Sequence, residues 1–254
     1  MSHISFSELK DWKYCPFYHK LTRVDKLKSF EGNEYTAFGT AIHEVCEKKL
    51  LNEDINAEEH FDKTFEEELE KLAEKNITTD PDLIKNMKPQ GRSILPEVIP
   101  ATKSFFGDFE VISTEESLYV PIDDTEYFFK GFIDAVIKTP DGKYHIIDWK
   151  SCSWGWDSRR RTEPMTTYQL TLYKHFFCIK HNLDPKNVET YFALLKRTSK
   201  KDKVEIFRVT SGQKKAENAI KLLGKAIYNI KNKRYIKNRM SCTRCVFNKT
   251  THCP

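Results

Sequence analysis

The sequence predicts a mixed α/β fold, a central sheet with helices on its faces. Three observations predict it. An apolar hairpin lies near the middle of the chain, helical patterns precede and follow it, and two further strand patterns come later. The hairpin is formed by residues 127–138 and 143–150 around Pro140-Asp141-Gly142. Proline suits the first corner of a type I turn and glycine the left-handed position after it, which makes a three-residue loop. Thr139 then pairs with Lys143, and counting back sets Asp134 opposite Asp148. Opposite residues share a face and side chains alternate, so Lys150 joins both acids. Ile133, Ala135, Ile137, Ile147 and Trp149 line the other face. Both faces are largely apolar, as in central strands covered on both sides. Two carboxylates side by side repel, and a divalent cation between them removes the repulsion. A lysine beside that cation can help hold a phosphate or an attacking water. The hairpin therefore carries the pattern of a metal-assisted hydrolase.

The remaining elements follow in order. Residues 5–20 predict a short aromatic helix, with Ser5 or Ser7 as cap, Glu8 in capping-box position to Ser5 and Cys15 near its end. Residues 20–34 are polar and predict a loop. Residues 35–51 predict a helix, because Phe38, Ala41, Ile42, Val45 and Cys46 recur at helical spacing. His43 and Glu47 stack one turn apart on its neighbouring face. Residues 52–75 predict an acidic amphipathic helix with Phe61, Phe65, Leu69 and Leu72 as its stripe. Four prolines and a glycine between residues 78 and 100 predict short helices and turns. Residues 109–121 predict a strand. The stretch 151–163, with Trp154, Trp156 and Arg159-Arg160-Arg161, predicts a loop. Pro164 opens a helix to about residue 179, with Gln169 and Tyr173 four apart on it. Residues 187–195 and 203–209 predict strands, and residues 212–231 a basic helix.

Composition bounds the class. With 39% hydrophobic and 31% charged residues, the 254-residue chain reads as globular. It has no apolar run of transmembrane length and no signal-peptide layout at its start, so an intracellular (cytoplasmic) protein is expected. In that compartment seven cysteines are free or metal-bound rather than paired. Net charge is only +5, but its placement is uneven. Residues 52–80 hold eleven acidic and three basic side chains, and residues 196–239 hold fifteen basic and three acidic. This asymmetry hints at a polyanion partner, although two solvated faces of opposite sign would give the same pattern.

Four stretches, in this order, resemble the RecB-type nucleases of the restriction-endonuclease-like PD-(D/E)xK superfamily. They are Gly39-Thr40-Ala41-Ile42-His43 with Glu47, Gly131-Phe132-Ile133-Asp134, Asp148-Trp149-Lys150, and Gln169-Leu170-Thr171-Leu172-Tyr173. The resemblance implies that His43, Asp134 and Asp148 bind Mg²⁺ or Mn²⁺, helped by the backbone carbonyl of Trp149. It implies that Lys150 orients or polarises the attacking water or the scissile phosphate, and that Gln169 and Tyr173 position DNA and the lysine. The implied activity is that of a DNA exonuclease in recombination, repair, or phage- or CRISPR-related DNA processing. A catalytically silent DNA-binding or assembly subunit, or a hydrolase of small phosphoesters, is the competing expectation. The segment carrying Trp154 and Trp156 has no counterpart in the resemblance.

Cys242-Thr243-Arg244-Cys245 can chelate one ion, with Cys253 as a third ligand and Cys15 as a fourth. A lone cysteine before the core and three after it resemble the [4Fe–4S] clasp of the AddB nuclease domain and the CRISPR-associated RecB-like exonucleases. The seven residues between Cys245 and Cys253 leave Zn²⁺ open, with His252 as a further ligand. Cys46, Cys152 and Cys178 read as buried thiols. The expected organisation is one nuclease domain: an N-terminal clasp segment (1–34), the His-bearing helix (35–51), a helical insertion (52–108), the catalytic sheet and helix (109–210), and a basic helix with the cysteine tail (211–254). Arg159, Arg160 and Arg161 are expected to meet the DNA backbone, and Trp154 and Trp156 to stack on unpaired bases.

Overall fold

The computed structural model describes residues 2–254. Its elements run β1 (Ser2–Ser5), α1 (Phe6–Tyr14), α2 (Pro16–His19), a π-turn (Lys20–Val24), α3 (Glu34–Leu50), α4 (Ala57–Glu74), α5 (Pro81–Phe106), β2 (Glu110–Pro121), β3 (Tyr127–Lys138), β4 (Tyr144–Cys152), α6 (Ser158–Thr162), α7 (Pro164–His181), β5 (Val188–Lys196), β6 (Val204–Val209) and α8 (Gln213–Lys231). The chain forms two compact units. One comprises residues up to 30, 118–131 and 212–254, and the other residues 31–117 and 132–211.

In the second unit, β3 pairs antiparallel with β4, β4 parallel with β5, and β5 antiparallel with β6, which makes a mixed sheet. The predicted hairpin is present. Gly142 has φ +84, its N–H donates to Thr139 O at 2.9 Å, and Thr139 N–H donates to Lys143 O at 3.0 Å. The ladder runs from Lys138↔Tyr144 to Ala135↔Ile147, so Asp134 and Asp148 are the next positions along. β4 is central, and Ile146, Ile147 and Trp149 are fully buried. The face bearing Ala135, Ile137, Ile147, Trp149, Ala193 and Leu195 packs into one core with α3, α4 and α5. The alternate residue Asp148 points away from that core, toward α7, which lies against β4 and β5.

α3 begins at a capping box, with the Asn33 side chain accepting from Thr36 N–H and Thr36 Oγ1 accepting from Asn33 N–H. Its Phe38 meets Phe61 and Phe65 of α4 at ring-centroid distances of 5.4 and 5.9 Å.

The largest departure from the sequence reading is α5, one helix of 26 residues where short helices and turns were expected. Interior proline removes the N–H that would bond the carbonyl four residues back. Pro89, Pro96 and Pro100 recur at spacings of seven and four, fall on one side of the helix and are all exposed. The orphaned carbonyls thus lie on the side that water reaches. Opposite them, Met87, Gly91, Ile94, Leu95 and Val98 are buried. Two smaller differences accompany this. Residues 158–162 of the expected loop form α6, and α4 starts at Ala57 rather than near residue 52.

In the first unit, the short strand β1, absent from the sequence reading, pairs in parallel with residues 127–130. Of the two candidate caps, Ser5 caps α1, accepting from Glu8 N–H at 3.2 Å. α1 stops at Cys15 in extended conformation (φ −163), because the residue before a proline is driven out of the helical region. Pro16 then opens α2. α8 buries Ala219, Leu223, Ala226 and Ile227 along one stripe. The tail is tied to the α1–α2 junction: Tyr14 OH donates to Ser241 O at 2.6 Å, Asn238 Nδ2 to Tyr14 O at 2.8 Å, and Asn238 N–H to Cys15 Sγ at 3.2 Å. Among the described residues no helix is long and apolar enough to cross a membrane.

Candidate active site

Asp148 is the centre of the site. It sits on the middle strand of the second unit with its side chain 1% exposed. Gln169 of α7 donates from Nε2 to Asp148 Oδ1 at 2.9 Å and to Tyr173 OH at 3.2 Å. Asp148 Oδ2 lies 2.5 Å from Lys150 Nζ as an ion pair. Across the hairpin, Asp134 Oδ2 accepts from the backbone N–H of Trp149 at 2.7 Å. A side chain there takes an amide at the point where the β3–β4 ladder ends. His43, one turn beyond Gly39 on α3, brings Nδ1 to 3.5 Å from Asp134 Oδ2.

The electrostatics follow from burial. Burial raises both carboxyls to about 6, although the Lys150 ammonium opposes the rise at each. Each acid thus resists ionising, and both would do so more easily beside a cation. Burial acts the other way on Lys150, but the carboxylates of Asp148 and Asp134 outweigh it, so its pKa is raised and it keeps its charge. Burial, with Lys150 nearby, lowers His43 to about 4, so its imidazole is neutral and can act as a metal ligand. Burial pushes Tyr173 up to about 12, which keeps the phenol protonated.

Two carboxylates and a neutral imidazole fit a hard divalent cation by donor type. Among the described residues no three His, Cys, Asp or Glu side chains are already arranged to hold a metal.

The structure thus brings His43, Asp134, Asp148, Trp149, Lys150, Gln169 and Tyr173 together. The four candidate cysteines of the first unit, Cys15, Cys242, Cys245 and Cys253, line one narrow cavity of about 20 Å³, and all seven cysteines are free. Cys46 and Cys178 are buried as expected, whereas Cys152 is only half-buried.

The expected DNA contacts divide. Trp156 is not available for stacking on bases. It is 7% exposed and packs on Phe192 and Phe207 at 5.0 and 6.1 Å, because the chain after β4 turns its ring into the core. Arg161 is tied down as well, donating to Trp156 O at 2.8 Å and pairing with Glu205 at 2.5 Å. Arg159 and Arg160 are exposed, and the Arg160 guanidinium lies 4.5 Å from the Trp156 ring. Trp154 is 79% exposed.

Two groups escaped the sequence reading. Glu115, at φ +46 within β2, shares a hydrogen bond with Glu47, and burial together with this second carboxyl raises Glu47 to about 8. The spacing of Glu47 from His43 was visible in the sequence, but nothing marked Glu115. Arg197, 7% exposed, is the other.

Comparison with known proteins bears on this geometry. The family pattern of the PD-(D/E)XK nuclease superfamily matches residues 3–250. The chain belongs to the PD-(D/E)XK nuclease superfamily. Members of this superfamily are nucleases and typically use Mg²⁺ or Mn²⁺. Among solved structures, the fold is similar to that of a candidate exonuclease from Eubacterium rectale (TM-score 0.63, 14% identity, covering 96% of this chain and 86% of that one). A second similar structure is that of SSO0001 (TM-score 0.39, 17% identity, 91% of each chain). No curated protein sequence matches the chain. The superfamily assignment accords with the mixed, helix-flanked sheet and with a restriction-endonuclease-like fold.

Proposed function

We propose that the chain is a divalent-metal-dependent DNA nuclease, acting as an exonuclease on DNA ends in recombination, repair, or phage- or CRISPR-related DNA processing. The observation that carries the reading is Asp148, buried beside Asp134, with one oxygen held by Gln169 and the other paired with Lys150. Asp134, Asp148, His43 and the Trp149 carbonyl would hold Mg²⁺ or Mn²⁺, which supplies an activated water and neutralises phosphoryl charge. Lys150 stays an ammonium, so it acts as a fixed positive charge on the phosphate or the attacking water rather than as a base. Gln169 fixes the rotation of the Asp148 carboxylate, and Tyr173 braces Gln169. The preference for ends rests on the resemblance and on the designation of the similar E. rectale protein. Both units serve one nuclease in this reading, acting on DNA inside the cell.

The test is cleavage of linear duplex and single-stranded DNA with Mn²⁺. Wild type is expected to cleave, and Lys150→Ala to lose at least about 100-fold while remaining folded. Equal inertness of both proteins would favour the silent DNA-binding subunit and overturn the reading.

We further propose that Cys15, Cys242, Cys245 and Cys253 hold a [4Fe–4S] cluster, with Zn²⁺ as the alternative. Four free thiols around one cavity support this. The cavity of about 20 Å³ is the size of one water, so the tail must yield on loading. Protein purified without oxygen should be brown, with broad absorbance near about 400 nm and bound iron and sulfide. A colourless protein with stoichiometric zinc would overturn the cluster.

A further inference from the structure

Beyond Lys150, the second unit carries aromatic and cationic groups that the catalytic arrangement does not use. Arg197 is buried, yet no carboxylate lies within ion-pair distance of it among the described residues. Its guanidinium stacks 4.9 Å from the ring of Tyr35 and 5.6 Å from that of Phe38. It donates only to neutral oxygens, Gln90 Oε1 at 3.2 Å and Ser153 Oγ at 3.3 Å. A buried cation without a counter-charge leaves a positive potential around it, which an anionic ligand can relieve.

Tyr35 is 47% exposed, and Trp154, the residue after Ser153, is 79% exposed. Tryptophan is highly buried on average, so an indole this open is unusual. Its backbone is held on both sides. Arg197 N–H donates to Cys152 O at 2.8 Å and Thr198 N–H to Ser153 O at 2.9 Å, while two residues on Trp156 is sunk in the core. Trp154 is therefore an exposed ring on a fixed mount, four residues past Lys150, which an extended chain limits to about 14 Å. The exposed Arg159 and Arg160 follow in the same stretch.

We propose that Trp154 and Tyr35, joined through the uncompensated charge of Arg197, form a stacking platform for unpaired bases of a single-stranded DNA segment leading to Asp148 and Lys150. Exposed rings beside a cation suit single strands, whose bases expose their faces, and do not suit a blunt duplex, whose bases are already stacked. The proposal rests on the nuclease reading and adds the form of the substrate.

The experiment measures binding of a labelled oligothymidylate of about 16 nucleotides and of a blunt duplex of equal length, in chelator so that nothing is cleaved. Trp154→Ala should weaken single-strand binding by about 5- to 150-fold, the loss expected for one base–aromatic stack, and change duplex binding less than about twofold. Trp154→Phe should restore most of the affinity, and Tyr35→Phe should bind like wild type whereas Tyr35→Ala should not. Unchanged single-strand binding by Trp154→Ala, or equal loss on both DNAs, overturns the platform. Cleavage of duplex by wild type with Mn²⁺ separates the two claims. A cleaving enzyme indifferent to the Trp154 changes loses only the platform, and a wild type that neither binds nor cleaves DNA loses both.

Discussion

Replacing Asp148 by asparagine should make the metal-free protein more stable. The Asp148 carboxyl is raised from 3.8 to about 6, chiefly by burial. That change corresponds to about 3 kcal/mol of penalty on the ionised form in the folded state, with the attraction to Lys150 already included. Because the folded-state value lies above the unfolded one, the native protein binds this proton more tightly. The penalty is absent below about pH 4, grows between about pH 4 and 6, and is complete above. Asp134, also raised to about 6, adds to the same trend. In Asp148→Asn the amide oxygen can still accept from Gln169, and the ionised form is gone. Thermal melts in chelator at pH 7.5 should show a gain of about 1–3 kcal/mol, or roughly 3–8 °C for a chain of this size. The wild type should lose stability as pH rises from about 4 to 6, and the variant should lose less. Added Mn²⁺ should raise the wild-type melting temperature increasingly above about pH 6, where both acids give up their protons, and leave the variant unmoved. A variant less stable than wild type at pH 7.5 without metal would refute the reasoning, since it would mean that the ionised carboxylate is favourably held.

Gln169→Ala should lower Mn²⁺-dependent cleavage by about 10- to 100-fold with little change in melting temperature, because it frees a metal-binding carboxylate rather than removing one; unchanged cleavage would show that Asp148 needs no brace. Gly91→Ala should destabilise the protein by about 1–3 kcal/mol in denaturant titration. The added Cβ would stand 2.2 Å from Phe61 Cζ, and that ring is fully buried against Phe38 and Phe65. A gain of about 1 kcal/mol, as helix propensity alone would give, would contradict the packing account.

The hairpin was legible because its determinants are local. A Pro-Asp-Gly turn fixes the register, and alternation assigns the faces. α5 was not legible because interior proline normally breaks a helix, and only the spacing of seven and four, which puts Pro89, Pro96 and Pro100 on the wet side, spares this one. β1 has only four residues and exists through a parallel partner more than 120 positions away, a contact that no local pattern announces. In the site, Asp134, Asp148 and Lys150 came from register, whereas His43, Gln169 and Tyr173 came from the order of motifs. Trp154 and Trp156 look alike in sequence, and only the course of the backbone after β4 separates the exposed ring from the buried one.

The hydrogen bond from the Trp149 amide to Asp134 makes that amide proton a reporter built into the sheet. Its neighbours in the ladder are protected by backbone carbonyls, whose strength does not vary with ionisation. This one is protected by a carboxylate that takes up a proton near pH 6 and that a cation would share. Hydrogen exchange at this single position should therefore follow the charge state of the site, while the amides of Ile146 and Ile147 keep time with the fold.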